Sequence, residues 1–197
     1  ERGTLEVAEA LVAAGHRSIV VSSGGRLVED LVAGGSEHVC LPVARKSPAT
    51  LLQVRPLRRL LQAEQVDIVH ARSRVPAWVS WLAWRGMDVR TRPRFVTTVH
   101  GLYSVNRYSA IMTKGERVIA VSDTARKYII DNYPEIDADK VITIYRGVDP
   151  AEFPYGYQPS PDWLADWYGA HPFLRGRKVL TLPGRLTRLK GHVDFID

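Results

Sequence analysis

Short apolar runs alternate with segments of helical periodicity along most of the chain. The runs are rich in valine and isoleucine, and their apolar residues are consecutive rather than alternating with polar ones. This pattern is typical of strands that are buried on both faces of a parallel sheet. The runs predict six strands, at Ser18–Val21, Glu37–Leu41, Asp67–His70, Phe95–His100, Arg117–Val121 and Val141–Tyr145.

The segments between these runs have the spacing of amphipathic helices. A proline inside one segment predicts a break or kink at Pro56, and a serine before another predicts an N-cap at Ser122. Strands that alternate with helices indicate a doubly wound α/β domain with a parallel sheet. The predicted helices cover Val7–Ala14, Leu27–Ala33, Pro48–Glu64, Ala77–Arg85 and the residues from Ser122 to Asp131.

The composition of the chain changes after Gly147. Five prolines fall between Pro150 and Pro172 among aromatic residues and glycines, which indicates a linker with a short helix near Asp162–Tyr168. A new strand at Lys178–Leu182 and a new helix from His192 then predict the first βα unit of a second domain. The predicted parts are an N-terminal Rossmann-like domain at 1–148, an interdomain linker at 149–176 and the start of a C-terminal Rossmann-like domain at 177–197.

Composition and charge restrict the classes of partner. The 197 residues are 45% hydrophobic and 24% charged, and 27 Lys and Arg against 21 Asp and Glu give a net charge of +6. This charge suits an anionic partner such as a nucleotide, a nucleic acid or lipid headgroups, although a basic solvated surface would also produce it.

No Cys/His cluster has zinc-site spacing, so we expect no metal site. The strand-like surroundings of the single cysteine predict that Cys40 is an inert buried thiol.

Polar residues follow several of the predicted strands. In open parallel sheets, ligands bind beyond the carboxyl ends of the strands. His100 is the best candidate for direct contact with a substrate, because imidazole both donates and accepts hydrogen bonds and Gly101 lets a ligand approach the backbone. A histidine that only satisfies a loop carbonyl is the alternative. The residues expected in this cleft are His70, Arg72, Arg74, His100, Gly101 and Arg146.

A second group of cations follows the last predicted strand, in "LPGRLTRLKGH". Arg185 and Lys190 could neutralise a diphosphate without a metal, since Arg binds such groups bidentately and Lys acts as a mobile point charge. A basic loop before a helix is the alternative, and Arg188 more simply points to solvent. The glycine spacing of dinucleotide-binding turns, the Walker lysine motif and a convincing nucleophile elbow are all absent from the sequence, which argues against a dehydrogenase or a P-loop enzyme.

A basic helical face is predicted in the segment that follows Pro48. Arg55, Arg58 and Arg59 share one side of this helix, and Leu57 and Leu61 share another. Such a face can rest on anionic lipid, or it can be the solvated side of a helix that packs on the sheet.

Nucleic acid is not the expected partner of this basic surface. Binding to nucleic acid would call for stacking aromatic residues within a basic stripe. The tryptophans lie instead on an apolar helical face, where we expect packing, although Trp84 could reach a membrane interface. They are Trp78, Trp81 and Trp84.

Five sequence blocks, together with the first helix, carry a resemblance to a known family. After "ERGTLEVAEALVAAGH", the blocks are "DIVHARSRVPAW", "VTTVHG", "GERVIAVSDTARKYI", "VITIYRGVDPAEF" and "LPGRLTRLKGH". In this order and spacing the chain resembles bacterial glycosyltransferases of family 4, the retaining enzymes with two Rossmann-like domains known as the GT-B fold. The resemblance runs over essentially the whole chain.

The resemblance implies a function and roles for particular residues. Arg185 and Lys190 match the pair that holds the diphosphate of a nucleotide-sugar donor such as a UDP- or GDP-sugar, and His100 matches the histidine that contacts the transferred sugar. Arg72 and Arg74 are plausible contacts of a glycan or lipid-linked acceptor. Transfer is expected with retention, without a cofactor or a required metal, in lipopolysaccharide or surface-polysaccharide biosynthesis, in the cytoplasm at the inner face of the cytoplasmic membrane.

The same resemblance implies that the chain is a fragment. A first strand with its glycine turn would precede Glu1, and most of the nucleotide-binding domain would follow Asp197, so we expect the fragment alone to be inactive. Two other functions stay open. The GT-B fold also serves nucleotide-sugar epimerases, and a non-catalytic basic module could bind an anionic membrane.

Overall fold

A computed structural model describes residues 2–196, apart from the side chain of Leu189. Its contacts divide the chain into two compact units, one up to Arg146 and one from Gly147 onward. The predicted linker at 149–176 and the predicted domain start at 177–197 both fall in the second unit and stay predictions.

The first unit contains two parallel sheets. Strand β1 (Ile19–Ser22) pairs with β2 (Glu37–Cys40). The other four strands form a single sheet in the order β3-β4-β5-β6, and all neighbours in it are parallel. The predicted α/β class is therefore confirmed. The strands of this sheet are β3 (Ile68–Ala71), β4 (Arg94–Val99), β5 (Arg117–Ala120) and β6 (Val141–Thr143).

Helices connect the strands of the first unit at the predicted positions. Strand β5 leads through Ser122, whose hydroxyl accepts a hydrogen bond from the Ala125 N–H at 3.1 Å, so the predicted N-cap is confirmed. Short 3-10 helices lie at Pro48–Gln53, Ser109–Thr113 and Ala138–Lys140. The α-helices are α1 (Arg2–Ala13), α2 (Val28–Ala33), α3 (Val54–Ala63), α4 (Arg74–Arg85) and α5 (Asp123–Asn132).

The predicted break at Pro56 lies elsewhere. The segment changes from a 3-10 helix to α3 at Val54, and Pro56 is the third residue of α3. Proline is tolerated there because the N–H groups of the first helical turn have no partner within the helix.

The core explains why the strand residues are consecutively apolar. On β4, Phe95, Thr97, Thr98 and Val99 are all buried, so neighbouring residues on opposite faces are both covered. Helix α4 contributes to two apolar clusters, one around Phe95 and one around Leu57. Burial on both faces is the property that distinguishes a parallel sheet from a half-exposed antiparallel one.

The tryptophans of α4 have the packing role that was predicted for them. Trp78 and Trp81 make an edge-to-face contact with their ring centres 5.6 Å apart. Trp84 is buried and its indole N–H donates to the Pro93 carbonyl at 2.7 Å. Trp84 is therefore held in the core, and the suggestion that it reaches a membrane interface is wrong.

The second unit contains α6 (Pro161–Ala170) and α7 (His192–Ile196), with 3-10 turns at Pro172–Leu174 and Arg188–Lys190. The short helix predicted near Asp162 is confirmed. The strand predicted at Lys178–Leu182 is not formed. The described residues of this unit contain no strand, because an extended segment without a hydrogen-bonded neighbour does not make a sheet.

Cys40 departs from its predicted environment. It ends β2 in the small sheet and is exposed, so the prediction of a buried thiol is wrong.

Across residues 2–196, no helix is long and apolar enough to cross a membrane. In the same part of the chain, no group of three or more His, Cys, Asp or Glu side chains is placed to hold a metal ion.

Candidate functional site

His100 lies directly after β4, at the carboxyl end of the four-stranded sheet. The Nη2 group of Arg146, three residues after β6, donates to the Nδ1 atom of His100 at 2.6 Å. The hydroxyl of Tyr103 accepts a hydrogen bond from the His100 backbone N–H at 3.4 Å. The ring is thus held from the end of another strand, as predicted from the meeting of strand ends at one edge.

His70 and Thr98 lie beside this contact. His70 is inside β3 rather than at its end, and its Nε2 atom shares a hydrogen bond with the Thr98 hydroxyl at 2.7 Å. Thr98 and His100 are two residues apart along the strand direction of β4, so they point to the same side of the sheet. We call Arg72, His70, Thr98, His100 and Arg146 the carboxyl-end cluster.

Both histidines of the cluster are neutral at neutral pH. Burial, with a smaller contribution from the Arg72 charge, lowers the pKa of His70 to about 4. Burial also lowers the pKa of His100 to about 4, with smaller contributions from Arg72 and Arg146. Desolvation disfavours the charged imidazolium, and nearby cations act in the same direction. At neutral pH these rings therefore act through hydrogen bonds rather than through charge.

Arg72 gives the cluster its positive potential. Burial lowers the pKa of Arg72 and so does the Arg146 charge, while Glu6 on α1 raises it. Its guanidinium also lies close to Gly3, since a Cβ atom added there would be 3.3 Å from Nη2. Two guanidinium groups near neutral histidines make this end of the sheet suited to an anionic or hydroxyl-rich ligand.

Arg74, a predicted acceptor contact, is engaged by groups within the protein. Its guanidinium lies 4.9 Å from the ring centre of Tyr103 and 5.1 Å from that of Tyr108. It also donates to the Ser109 hydroxyl at 3.1 Å. These contacts fasten the loop after His100 onto the first turn of α4, so much of the donor capacity of Arg74 is used within the protein.

Gly101 borders open space. A Cβ atom added to it would meet nothing within 4 Å, which leaves its backbone accessible, as expected for a ligand approach.

A cavity of about 640 Å³ lies at the opposite end of the sheet and is lined by residues at the start of β3 and β4, including Ile68 and Arg94. It is remote from the carboxyl-end cluster by topology, because parallel strands place all their carboxyl ends at one edge.

Arg185 and Lys190 lie in the second unit and are both exposed. Lys190 ends the 3-10 turn, and Gly191 follows with a left-handed φ of 66°. Gly184 lies near the His192 ring, with 3.4 Å between its added Cβ and Cε1. Among the described residues, neither side chain is held by a salt bridge.

The basic face of α3 is smaller than predicted. Arg55 and Arg59 are exposed, but Arg58 turns inward. Its Nε donates to the Ala83 carbonyl at 3.1 Å and its Nη2 to the Leu82 carbonyl at 3.4 Å. Arg58 thus satisfies carbonyls in the last turn of α4, where a cation is favoured, and its prediction as a membrane contact is wrong.

Sequence reasoning missed Thr98 and Tyr103. Thr98 could have been found from strand alternation, because it lies two residues before His100. Tyr103 could not have been found, because its contact with His100 depends on the conformation of a loop. Arg74 holds this loop by packing on the Tyr103 ring, and the Tyr128 hydroxyl holds it by donating to the Tyr103 carbonyl at 2.6 Å. Beside the cluster, the Tyr145 hydroxyl also donates to the Asp123 carboxylate.

Known proteins share this architecture. The sequence model of the family described as Glycosyltransferase Family 4 matches residues 1–152. A glycosyltransferase from Rickettsia africae ESF-5, known from a crystal structure, is 35% identical in sequence to this chain. The two structures align with a TM-score of 0.79, and the alignment covers 98% of this chain and 51% of the Rickettsia chain. Anabaena Alr3699/HepE in complex with UDP and glucose is 16% identical, with a TM-score of 0.65 over 98% of this chain and 52% of its own.

The chain spans about half the length of these solved relatives. At 16% identity the Anabaena protein supports the fold alone. No curated protein matches the chain.

Proposed function

Because the chain belongs to Glycosyltransferase Family 4, we propose that the full-length protein transfers a sugar from a nucleotide-sugar donor to a glycan or lipid-linked acceptor, with retention of anomeric configuration. The observation that carries this proposal is the carboxyl-end cluster. It brings neutral histidines and guanidinium groups to the edge of a parallel sheet where such folds bind ligands.

His100 is proposed to contact the transferred sugar. Its neutral ring can hydrogen-bond a sugar hydroxyl without placing a cation against the positive charge that develops at the anomeric carbon. Gly101 leaves room beside it. His70 is proposed to line the same cleft, where Thr98 orients its ring.

The acceptor is proposed to lie against Arg72, in the cleft where Arg146 holds the His100 ring. The charges of Arg72 and Arg146 both lower the pKa of His100, and the Arg146 charge also lowers the pKa of Arg72, so these groups lie close together. Glu6 is the carboxylate that raises the pKa of Arg72. Arg74 is proposed only as a peripheral contact, because Ser109 and two tyrosine rings already engage it.

The donor diphosphate is proposed to bind Arg185 and Lys190. Both cations are solvent-exposed and unpaired by carboxylates in the part of the chain that the structure describes, so a ligand phosphate need not displace a protein partner. A leaving nucleoside diphosphate gains negative charge as the glycosidic bond breaks, and cations that the bound ligand orders beside it stabilise that charge. The UDP complex of the Anabaena relative makes a uridine nucleotide a reasonable first probe.

The proposal is tested by incubating the full-length protein with a panel of UDP- and GDP-sugars and measuring released nucleoside diphosphate, with and without glycan acceptors. Release from at least one donor is expected, and it should fall strongly in His100→Ala. An epimerase would interconvert the donor without net release. Absence of both reactions across the panel would contradict the enzymatic function.

Retention and metal independence are tested in the same assay. The product formed early should have the anomeric configuration of the donor sugar when measured by proton NMR. Activity should persist in a chelator such as EDTA. An inverted product, or loss of activity that added divalent metal restores, would refute the corresponding part of the proposal.

The protein is proposed to act in lipopolysaccharide or surface-polysaccharide synthesis of a bacterium, in the cytoplasm at the inner face of the membrane. Arg55 and Arg59 support membrane contact, because they are exposed next to Leu51 and Leu52, of which Leu52 is 74% exposed. Exposed leucines beside cations are the features that bind anionic bilayers.

Co-sedimentation with vesicles of phosphatidylglycerol tests the membrane contact. The double variant Arg55→Ser, Arg59→Ser should bind less than the wild type. The double variant Arg26→Ser, Arg90→Ser removes the same charge from exposed positions elsewhere and should bind normally. Equal losses in both variants would indicate only a net-charge effect.

A further inference from the structure

We propose that Arg146 is a positioning residue that holds His100 in one tautomer, with the ring proton on Nε2. The inference rests on the proposed role of His100 in contacting the sugar. The observation that carries it is the 2.6 Å contact between Nη2 of Arg146 and Nδ1 of His100.

The chemistry of the two groups determines the position of the proton. A guanidinium group has only donors, and it stays charged at any pH at which the protein is folded. Nδ1 of His100 must therefore accept the hydrogen bond with its lone pair. A neutral imidazole carries one proton, so that proton is on Nε2.

The surroundings oppose a second proton on the ring. Among residues 2–196, the groups that face His100 are Arg146 after β6, Arg72 after β3, His70 on β3 and the Tyr103 hydroxyl at its backbone N–H. None of these four carries a negative charge at neutral pH. An imidazolium would have to give up the Arg146 bond and lie near two cations, which agrees with a pKa of about 4 for His100.

The consequence is a site with defined polarity. Nε2 of His100 offers one hydrogen-bond donor, so its ligand atom must be an acceptor, such as the oxygen of a sugar hydroxyl. A ring that could adopt either tautomer would offer the acceptor form for part of the time. Arg146 acts through His100 by removing that form.

Nitrogen NMR of the protein labelled with ¹⁵N-histidine tests the tautomer directly. Two-bond proton–nitrogen correlations distinguish the protonated ring nitrogen from the one with a lone pair, and the His100 signals are assigned by their loss in His100→Gln. We expect Nε2 protonated, Nδ1 unprotonated and no titration between about pH 5 and 8.

Variants separate the hydrogen bond from the charge. Arg146→Met removes the donor and should produce a mixture of tautomers, whereas Arg146→Lys keeps a donor and should preserve the Nε2 form. Arg72→Met removes a neighbouring charge without touching Nδ1 and should leave the tautomer unchanged. Protonated Nδ1 in the wild type, or an unaltered tautomer in Arg146→Met, would overturn the proposal.

Kinetics of the full-length protein provide the second readout. We expect Arg146→Met to lower kcat/KM about 10-fold, which corresponds to about 1.4 kcal/mol, and Arg146→Lys to recover most of it. When His100→Gln is already present, adding Arg146→Met should lower kcat/KM only slightly further, because Arg146 acts through His100. Fully additive losses would contradict action through His100.

The two readouts distinguish the failure of this proposal from that of the proposed function. If the wild type has no activity toward any nucleotide sugar, the proposed function fails while the NMR result still decides the tautomer. If activity is present but the tautomer does not depend on Arg146, only the positioning role fails.

Discussion

Two groups of cations in this protein differ in how the chain holds them. In the carboxyl-end cluster, Arg146 is bound to His100 and Arg72 is half-buried beside it. In the basic segment, which we define as residues 185–190, Arg185 and Lys190 are exposed. A group held by the protein is arranged before a ligand arrives, while an exposed cation must be ordered by the ligand itself, at a cost in side-chain entropy.

The difference separates two kinds of contribution to function. Groups in the cluster should affect both the fold and the chemistry, because they take part in networks of protein hydrogen bonds. Groups in the basic segment should affect binding and transfer with little effect on stability. Each of the following substitutions tests one side of that comparison.

The largest expected effect is on activity in the basic segment. Arg185→Ala and Lys190→Ala should each lower kcat/KM of the full-length protein by about 100- to 1,000-fold, the usual cost of losing one charge-stabilising group. Arg188→Ala, an exposed neighbour in the same segment, should change it less than about 3-fold. The melting temperatures of all three should match the wild type. Equal losses in the three variants would reject a specific diphosphate pair.

The next effect is a pH dependence of stability from the cluster. The pKa of His70 is about 4 in the folded protein and about 6.5 when unfolded. The unfolded state therefore binds a proton first as the pH falls, and stability present above pH 6.5 is lost between there and about pH 4.

Urea unfolding at about pH 7.5 and about pH 5 measures this loss. The wild type should lose about 1–2 kcal/mol more than His70→Gln over this interval. His16→Gln, a change in an exposed histidine, serves as the control and should behave like the wild type. An identical loss in wild type and His70→Gln would show that His70 does not hold a lowered pKa.

A comparable effect on stability is expected from an arginine that the fold already uses. Arg58→Ala should reduce the free energy of unfolding by about 1–2 kcal/mol, because two α4 carbonyls each lose a hydrogen bond from the guanidinium. Arg59→Ala, one residue away and exposed, should change it by less than about 0.5 kcal/mol. Denaturant titration of both variants checks this, and equal effects would reject the inward role of Arg58.

The smallest effect on stability is expected at Gly101. A Cβ atom there meets nothing within 4 Å, so Gly101→Ala should change the free energy of unfolding by less than about 0.5 kcal/mol. Gly115→Ala serves as a positive control, because its Cβ would lie 2.5 Å from the Arg117 carbonyl and should cost about 1–3 kcal/mol. A large loss in Gly101→Ala would indicate that the space beside His100 is filled.

Most of the fold could be predicted from the sequence, because local patterns are sufficient for it. Consecutive Val and Ile residues mark strands buried on both faces, and a serine before Asp123 marks the start of α5. The strand expected at Lys178–Leu182 failed, since strand formation depends on a partner and not on composition alone. The exposure of Cys40 was missed for a related reason. The apolar residues beside it predict a strand but do not indicate which other elements pack against that strand.

The candidate site could be predicted only in part. That polar groups meet at the carboxyl ends follows from the parallel order of the strands, and His100 was found in this way. That Arg74 and Arg58 serve the fold could not be predicted, because their partners are 35 and 25 residues away along the chain.

The kind and order of the elements therefore follow from the chain itself, since helix and strand periodicities are properties of neighbouring residues. The use of each arginine was decided only when the elements packed. Arg55 and Arg58 are three residues apart in one helix, yet one is exposed and the other binds carbonyls of α4. A hydrogen bond such as that between Arg146 and His100 joins residues 46 apart, and only the packing of β4 and β6 into one sheet brings them within reach.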